Sequence, residues 1–157
     1  MQKITPMLWF DNNAEEAMEF YTSVFKDAKQ VKVSRYPEGA PAPAGSVMVA
    51  EFELEGQRFV ALNGGPQFKF TEAVSFVVNC DTQEEIDYYW SKLTADGGEE
   101  SMCGWLRDKF GLSWQITPRI IYKLYSDDAA SAQRTMQAML QMKKLDIQKL
   151  QDAHDGK

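Results

Sequence analysis

The sequence contains a single histidine, His154, and only two cysteines, Cys80 and Cys103. Because His154 lies in the last few positions and on no predicted strand, the pattern excludes a Ser–His–Asp or Cys–His arrangement built on an internal histidine. The same scarcity excludes a metal site with a histidine ligand inside a predicted sheet. The two cysteines stand in unrelated contexts and form neither a CxxC motif nor a disulfide framework, and Cys80 is expected to be a small buried hydrophobe.

Basic residues are also few, with 17 Lys and Arg against 23 Asp and Glu, a net charge of −6 and a pI near 4.8. No Lys or Arg stripe is present, so we expect no nucleic-acid partner. Long apolar runs are absent: nothing approaches the roughly 20 residues of a membrane span, and the N-terminus has no apolar signal region. We therefore expect no membrane partner and a cytoplasmic protein. A hydrophobic content of 44% with 12% aromatic residues nevertheless predicts a folded core.

One helix-start pattern occurs twice, from residue 13 and again from residue 82. Asn13 with Glu16, and Thr82 with Glu85, each form a capping-box signature just before an apolar-periodic run. Aromatic pairs and small polar residues follow at the same offsets in both copies. An internal repeat of this kind predicts two similar structural modules.

The elements around the two helices repeat in the same order, β-α-β-β-β. In the first half, strands are predicted at 5–10, 30–36, 46–54 and 57–63, a helix at 14–26, and an irregular loop at 37–45. In the second half, strands are predicted at 73–80, 99–102, 105–107 and 112–117, with a helix at 83–95. The Ser-Asp-Asp run at 126–128 predicts the start of a Met-rich helix, and Asp146 predicts the start of a last helix over 147–153.

These elements predict an α+β fold of two βαβββ modules, residues 1–66 and 67–120, with a C-terminal helical appendage at 121–157. We expect the three segments to form one structural domain. Each module is too small to bury its sheet face alone, so we expect the two to make a curved eight-stranded sheet with a concave cavity for a small ligand.

Four stretches carry a resemblance to a known family: ITPMLWFD at 4–11, ALNGGP at 61–66, CGWLRDKFGLSWQ at 103–115 and AMLQMKKLDI at 138–147. With them the chain resembles the vicinal oxygen chelate superfamily, which includes glyoxalase I, bleomycin-resistance proteins and extradiol dioxygenases. It is similar above all to the PhnB-like branch, labelled 3-demethylubiquinone-9 3-methyltransferase domain. The resemblance covers essentially the whole chain and implies a glyoxalase-like fold.

The resemblance also implies a metal inside the sheet, held by His, Glu or Gln on the first and last strands of each module. The matching positions here carry Thr5 or Met7, Ala61 or Asn63, one of residues 73–75, and Gln115 where metal-dependent relatives usually have Glu. Two neutral amides are too few for a hard cation, so we predict no metal and no cofactor. A methyl donor of the nucleoside-sulfonium type would need a glycine-rich turn after a parallel strand in a βαβ unit, a pattern that this sequence lacks.

What remains is a set of aromatic and amide side chains on the predicted strands. The predicted ligand-binding residues are Met7, Trp9, Asn63, Ser75, Trp105 and Gln115. Strand alternation places Trp114 on the face opposite Gln115, beneath a helix. The carboxylates that could serve as acid or base are Glu51, Glu53 and Asp108.

Two functions from different classes fit this set. The first is a metal-free protein that binds a small aromatic or quinone-like molecule, as the drug-sequestering members of the superfamily do. The alternative is an enzyme of the superfamily, for which no catalytic residue stands out. In either case we expect a homodimer, because superfamily members often pair modules and the Met-rich tail offers a surface to a second subunit.

Overall fold

A computed structural model describes residues 2–157 and divides them into two compact units, with the boundary between Phe70 and Thr71. Each unit contains one βαβββ module, so the predicted repeat is confirmed. No helix within residues 2–157 is both long enough and apolar enough to cross a bilayer.

The first unit is a four-stranded mixed sheet with one helix. Its strands stand in the order β1-β4-β3-β2, with β1 parallel to β4 and the other pairs antiparallel. The irregular connection between β2 and β3 is confirmed for residues 37–45. The elements are β1 (Met7–Phe10), α1 (Ala14–Val24), β2 (Ala28–Arg35), β3 (Val47–Leu54) and β4 (Gln57–Asn63).

The core of this unit forms because α1 and the strands each present one apolar face. Tyr21 of α1 stacks on Phe52 of β3 with ring centroids 5.9 Å apart, and Phe52 stacks on Phe59 of β4 at 5.6 Å. All three rings are buried. Period-2 alternation along the strands therefore leaves their other residues on the sheet face opposite α1.

The second unit repeats this arrangement in the strand order β5-β8-β7-β6 and adds helices. Its sheet is parallel between β5 and β8 and antiparallel elsewhere. The elements are β5 (Ser75–Cys80), α2 (Gln83–Thr94), β6 (Glu99–Glu100), β7 (Trp105–Arg107), β8 (Ser113–Pro118), α3 (Ile120–Ser126), α4 (Ala129–Met139) and α5 (Ile147–Asp155).

The two predicted capping boxes have different outcomes. Thr82 accepts a hydrogen bond from the Glu85 amide, and Glu85 accepts one from the Asp81 amide, each at 3.2 Å. That capping box is confirmed, with its return bond one residue earlier than the standard motif. The prediction for Asn13 is wrong, because its side chain makes no capping hydrogen bond.

The C-terminal helices share a small core of their own, in which Leu145 and Leu150 are buried against α3. Asp128 and Asp146 cap α4 and α5 as predicted, accepting the amides of Ser131 and Lys149 at 2.9 Å. Helix α3 is not predicted by the sequence pattern: its N-cap residue, Arg119, has helical dihedral angles and offers no capping side chain.

Candidate functional site

Two of the predicted binding residues, Met7 and Trp9, alternate along β1 with the buried Leu8 and Phe10. They consequently share the sheet face opposite α1, where Met7 is 60% exposed. The Trp9 indole N–H donates to the carbonyl oxygen of Gly65 at 2.9 Å. This bond uses the only polar group of the side chain and orients the ring.

A second aromatic side chain completes this group. Phe68 meets Trp9 edge to face, with ring centroids 4.9 Å apart, and is itself 65% exposed. Gly64 makes the arrangement possible: a Cβ built on it would lie 2.4 Å from the Trp9 ring. We name the three side chains of Met7, Trp9 and Phe68 the β1 aromatic patch. The sequence feature that could have indicated this patch is the Gly64-Gly65 pair, but its contacts with Trp9 were not predicted.

Asn63 lies on the other face of the sheet from this patch. It is in register with Phe10, on the face that α1 covers. Its side-chain oxygen accepts the amide of Ala14 at 2.8 Å, and its side-chain nitrogen donates to the carbonyl of Val47 at 3.0 Å. The Asn63 carboxamide therefore closes the first turn of α1 and ties it to β3. That role corrects its predicted position among the cavity residues.

The other three predicted residues lie together in the second sheet. Gln115 of β8 is in register with Trp105 of β7 on one side and Val77 of β5 on the other. Its side-chain nitrogen donates to the Ser75 hydroxyl oxygen at 2.9 Å. Register partners share a face, so these residues form one surface, which we name the β8 amide row (Ser75, Trp105 and Gln115).

The opposite face of the second sheet holds Trp114, as predicted. Trp114 is 3% exposed, and its indole N–H donates to the Asp108 carboxylate at 2.9 Å. Asp108 is also buried and accepts the amides of Phe110 and Leu112 on its other oxygen. This candidate acid is therefore a structural acceptor that organises the turn between β7 and β8.

The remaining candidate carboxylates, Glu51 and Glu53, are two residues apart and share the face opposite α1. Glu51 pairs with Arg58 at 3.6 Å and Glu53 with Lys29 at 3.4 Å. Both carboxylates are thus held as half-exposed cross-strand ion pairs, an arrangement common on solvated sheet faces.

The donor set does not fit a resident metal. The residue at the position where metal-dependent relatives carry a carboxylate is Gln115, whose amide donates to Ser75 and so presents a proton, not a lone pair, in that direction. Within residues 2–157, no three His, Cys, Asp or Glu side chains are grouped in a way that could hold a metal ion.

Cys80 does not carry an activated thiol. Burial, reinforced by the carboxylates of Glu85 and Asp81, raises the pKa of Cys80 to about 12. Cys80 is therefore protonated and inert at neutral pH, as predicted for a buried structural cysteine.

Comparison with known proteins supports the family resemblance. The 3-demethylubiquinone-9 3-methyltransferase family model matches residues 2–117, which leaves α3–α5 beyond the matched region. A PhnB protein from Bacillus cereus, provisionally described as a 3-demethylubiquinone-9 3-methyltransferase, is 43% identical, with a TM-score of 0.68 over 74% of this chain and 99% of that chain. No curated protein matches the chain.

More distant structures share the fold alone. A glyoxalase, bleomycin resistance protein and dioxygenase domain from Frankia sp. is 14% identical, with a TM-score of 0.51 over 75% of this chain and 92% of that chain. The fosfomycin resistance protein FosX from Listeria monocytogenes is 15% identical, with the same TM-score over 75% of this chain and 93% of that chain. The chain therefore belongs to the PhnB-like, 3-demethylubiquinone-9 3-methyltransferase family and has a glyoxalase-like fold.

Proposed function

We propose that this protein binds a small aromatic or quinone-like molecule without the help of a metal ion. The observation that carries the proposal is the β1 aromatic patch, where Trp9 and Phe68 form a fixed edge-to-face pair on an exposed sheet face. A planar ligand ring gains dispersion and quadrupole attraction from such a pair. Because Trp9 is already hydrogen-bonded to Gly65, the ligand need not spend free energy ordering it.

The second unit, taken by itself, has a surface of similar chemistry, the β8 amide row. Gln115 donates one amide hydrogen to Ser75 and has a second that can reach a ligand carbonyl, while Trp105 beside it offers a ring face and an indole N–H. Apolar rings with a few oriented polar groups are typical of small-molecule sites. The family name refers to a demethylated ubiquinone, whose ring is a planar quinone of this chemical type.

Duroquinone is a suitable probe, because all four of its ring carbons other than the carbonyl carbons carry methyl groups. These substituents hinder addition of the Cys103 thiol to the ring. We expect isothermal titration calorimetry to show saturable binding by the purified protein with and without a chelator. Trp9→Ala should weaken binding about tenfold. Tyr122→Ala, which removes an exposed ring of α3, is the matched control and should leave the affinity unchanged.

Several results would overturn this proposal. Binding that disappears with chelator and returns with one divalent cation would contradict the metal-free interpretation. Methylation of a demethylated quinone from S-adenosylmethionine would replace the binding function with the alternative, an enzyme. Equal affinity in the Trp9→Ala and wild-type proteins would remove the β1 aromatic patch from the site.

A further inference from the structure

The second unit contains a cleft of about 480 Å³ at the β6–β7 edge of its sheet, lined in part by residues 101–103. Its position is set by the C-terminal tail, because the amides of Cys103 and Gly104 donate to the carbonyls of Met142 and Lys143 at 2.7 and 2.8 Å. Leu145 packs against Gly104, where a Cβ would lie 3.0 Å from it. The cleft wall is therefore built in advance of any ligand.

The charges that line this cleft are predominantly negative. Glu72 and Glu99 line it with Arg107, which leaves an excess of one negative charge. Glu100 also lines it, but its carboxylate accepts the indole N–H of Trp90 on α2 at 2.7 Å. Arg107 is itself placed between two carboxylates: its guanidinium pairs with Glu72 at 3.7 Å and more closely with Glu99. Since the one cation is already compensated, an anionic ligand would meet net repulsion.

A buried hydroxyl in the cleft lining points to a ligand more directly than the charges do. Ser113 is 0% exposed, and its side-chain oxygen has no hydrogen-bond partner among residues 2–157. It stands in register with Arg107 on β7 and contributes to the cleft lining. Buried polar side chains are nearly always hydrogen-bonded, so an orphaned hydroxyl in a cleft lining marks the place of a missing partner.

An aromatic ring adjoins these polar groups. Trp105 contributes to the cleft and also belongs to the β8 amide row through its register with Gln115. A cation placed over an indole ring is attracted by the ring quadrupole. Carboxylates, a hydroxyl and an indole therefore meet in one cleft, a combination that suits a positively charged group attached to an apolar body.

We propose that this cleft binds a small organic cation: an ammonium group held by Glu72, Glu99 and the Ser113 hydroxyl, with its apolar or aromatic body against Trp105. To reach the hydroxyl, the ammonium displaces the side chain of Arg107, the residue in register with Ser113 on β7. This inference goes beyond the proposed function: the two share only Trp105, and the cleft adds a preference for a positively charged ligand. Bare divalent cations are a poor match, because no metal-holding group of acidic side chains forms within residues 2–157.

Three naphthalene probes with one ring system and different charges test the proposal: 2-naphthylmethylammonium, 2-naphthylmethanol and 2-naphthoate. In low-salt buffer at pH 7, we expect calorimetry to show about tenfold tighter binding of the ammonium than of the alcohol, with the carboxylate weakest. The advantage of the ammonium should shrink in about 0.5 M salt, since screening acts on exposed charges. Equal affinity for the three probes would overturn the proposal.

Variants locate the effect in the cleft. In the double variant Glu72→Gln/Glu99→Gln, the affinity for the ammonium probe should fall to within about twofold of the affinity for the alcohol. Each exposed charge contributes a few-fold to the affinity at most. Glu38→Gln, the same change on an exposed loop of the other unit, should leave the ratio unaltered. Ser113→Ala should weaken binding of the ammonium probe about threefold. It should not lower the melting temperature, because the Ser113 hydroxyl has no hydrogen-bond partner to lose among residues 2–157. An unchanged affinity in Ser113→Ala would place the cation elsewhere and refute the site.

The same titrations separate the two proposals. If duroquinone and the alcohol bind but the ammonium gains nothing, the inference about the cleft fails and the proposed function stands. If no probe of any charge binds, the proposed function fails as well. If the ammonium alone binds and depends on Glu72, Glu99 and Ser113, the cleft is a cation site and the quinone proposal is wrong.

Discussion

The six-membered ring of the Trp9 indole lies against the Cα atom of Gly64, so closely that a Cβ there would be 2.4 Å from ring atom Cζ2. The chain leaves β4 at this glycine, and the next carbonyl, that of Gly65, accepts the indole N–H. Two consecutive glycines after β4 thus hold the aromatic side chain that is the centre of the proposed ligand surface.

Gly64→Ala is expected to destabilise the protein by about 1–3 kcal/mol, because the added methyl group overlaps the indole and either ring or turn must shift. Urea unfolding measures the change. The matched test is the same substitution in a Trp9→Phe background, since phenylalanine lacks the part of the ring that the methyl group meets. A cost of Gly64→Ala that stays the same in the Trp9→Phe background would contradict the packing described.

Asn63→Ala should lower the free energy of unfolding by about 1–3 kcal/mol, because it removes the acceptor for the Ala14 amide and the donor to Val47. Asn13→Ala is the informative control. The sequence pattern predicts the larger loss at Asn13, whereas the structure predicts only a small one, since the Asn13 side chain makes no capping hydrogen bond. Chemical unfolding of the two variants side by side decides between them.

Asp108→Asn is expected to cost about 1–3 kcal/mol although it changes only one heavy atom. If the amide oxygen keeps the amides of Phe110 and Leu112, the new NH₂ group faces the Trp114 indole N–H, and two donors meet. Asp11→Asn, an exposed turn position, is the control and should be nearly neutral. Equal stability of the two variants in urea would show that the Asp108 carboxylate is not needed as an acceptor.

His154 should make the C-terminal helices sensitive to pH. Hydrogen bonds to Asp155 and Asp127 raise the pKa of the imidazole above its ordinary value of 6.5, with ring nitrogens 3.0 and 2.9 Å from the two carboxylates. A raised folded-state pKa means that the added stability is complete below the ordinary value and is lost as pH rises through the folded value. The melting temperature should therefore fall over that range.

His154→Gln removes the titrating group, so its melting temperature should not show this fall between slightly acidic and slightly alkaline pH. Asp127→Asn, which removes one carboxylate partner, should reduce the size of the fall without abolishing it. The same pH dependence in wild-type and His154→Gln proteins would assign the effect to another group.

Local sequence patterns predicted most of the fold because they report local physics. The alternation in β3 and β4, the apolar face of α2 and the Thr82 cap all depend on residues a few positions apart. Helix α3 was not predicted, because its seven residues have no capping side chain and so carry only a weak local signal. Its Ile121 and Leu124 become helical through packing against the C-terminal core.

Local sequence patterns predicted only part of the candidate site. Strand alternation correctly separated Gln115 from Trp114. Asn63 was predicted among the cavity residues as an amide on a last strand, because a carboxamide at a strand end carries no sign of which backbone groups it will meet. The pairing of Arg107 with Glu72, far earlier in the chain, has no local signature at all.

The sequence by itself determined the two βαβββ modules, the lack of a histidine on any strand, and the composition of an aromatic and amide-bearing surface. These follow from periodicity, capping chemistry and residue counts, which operate along the chain. Only the tertiary structure decided that Asn63 caps α1, that Gly64 seats Trp9, and that Ser113 is buried without a partner among residues 2–157 beside an acidic cleft. Those outcomes depend on groups far apart in sequence, whose hydrogen bonds and contacts exist only once each sheet has formed.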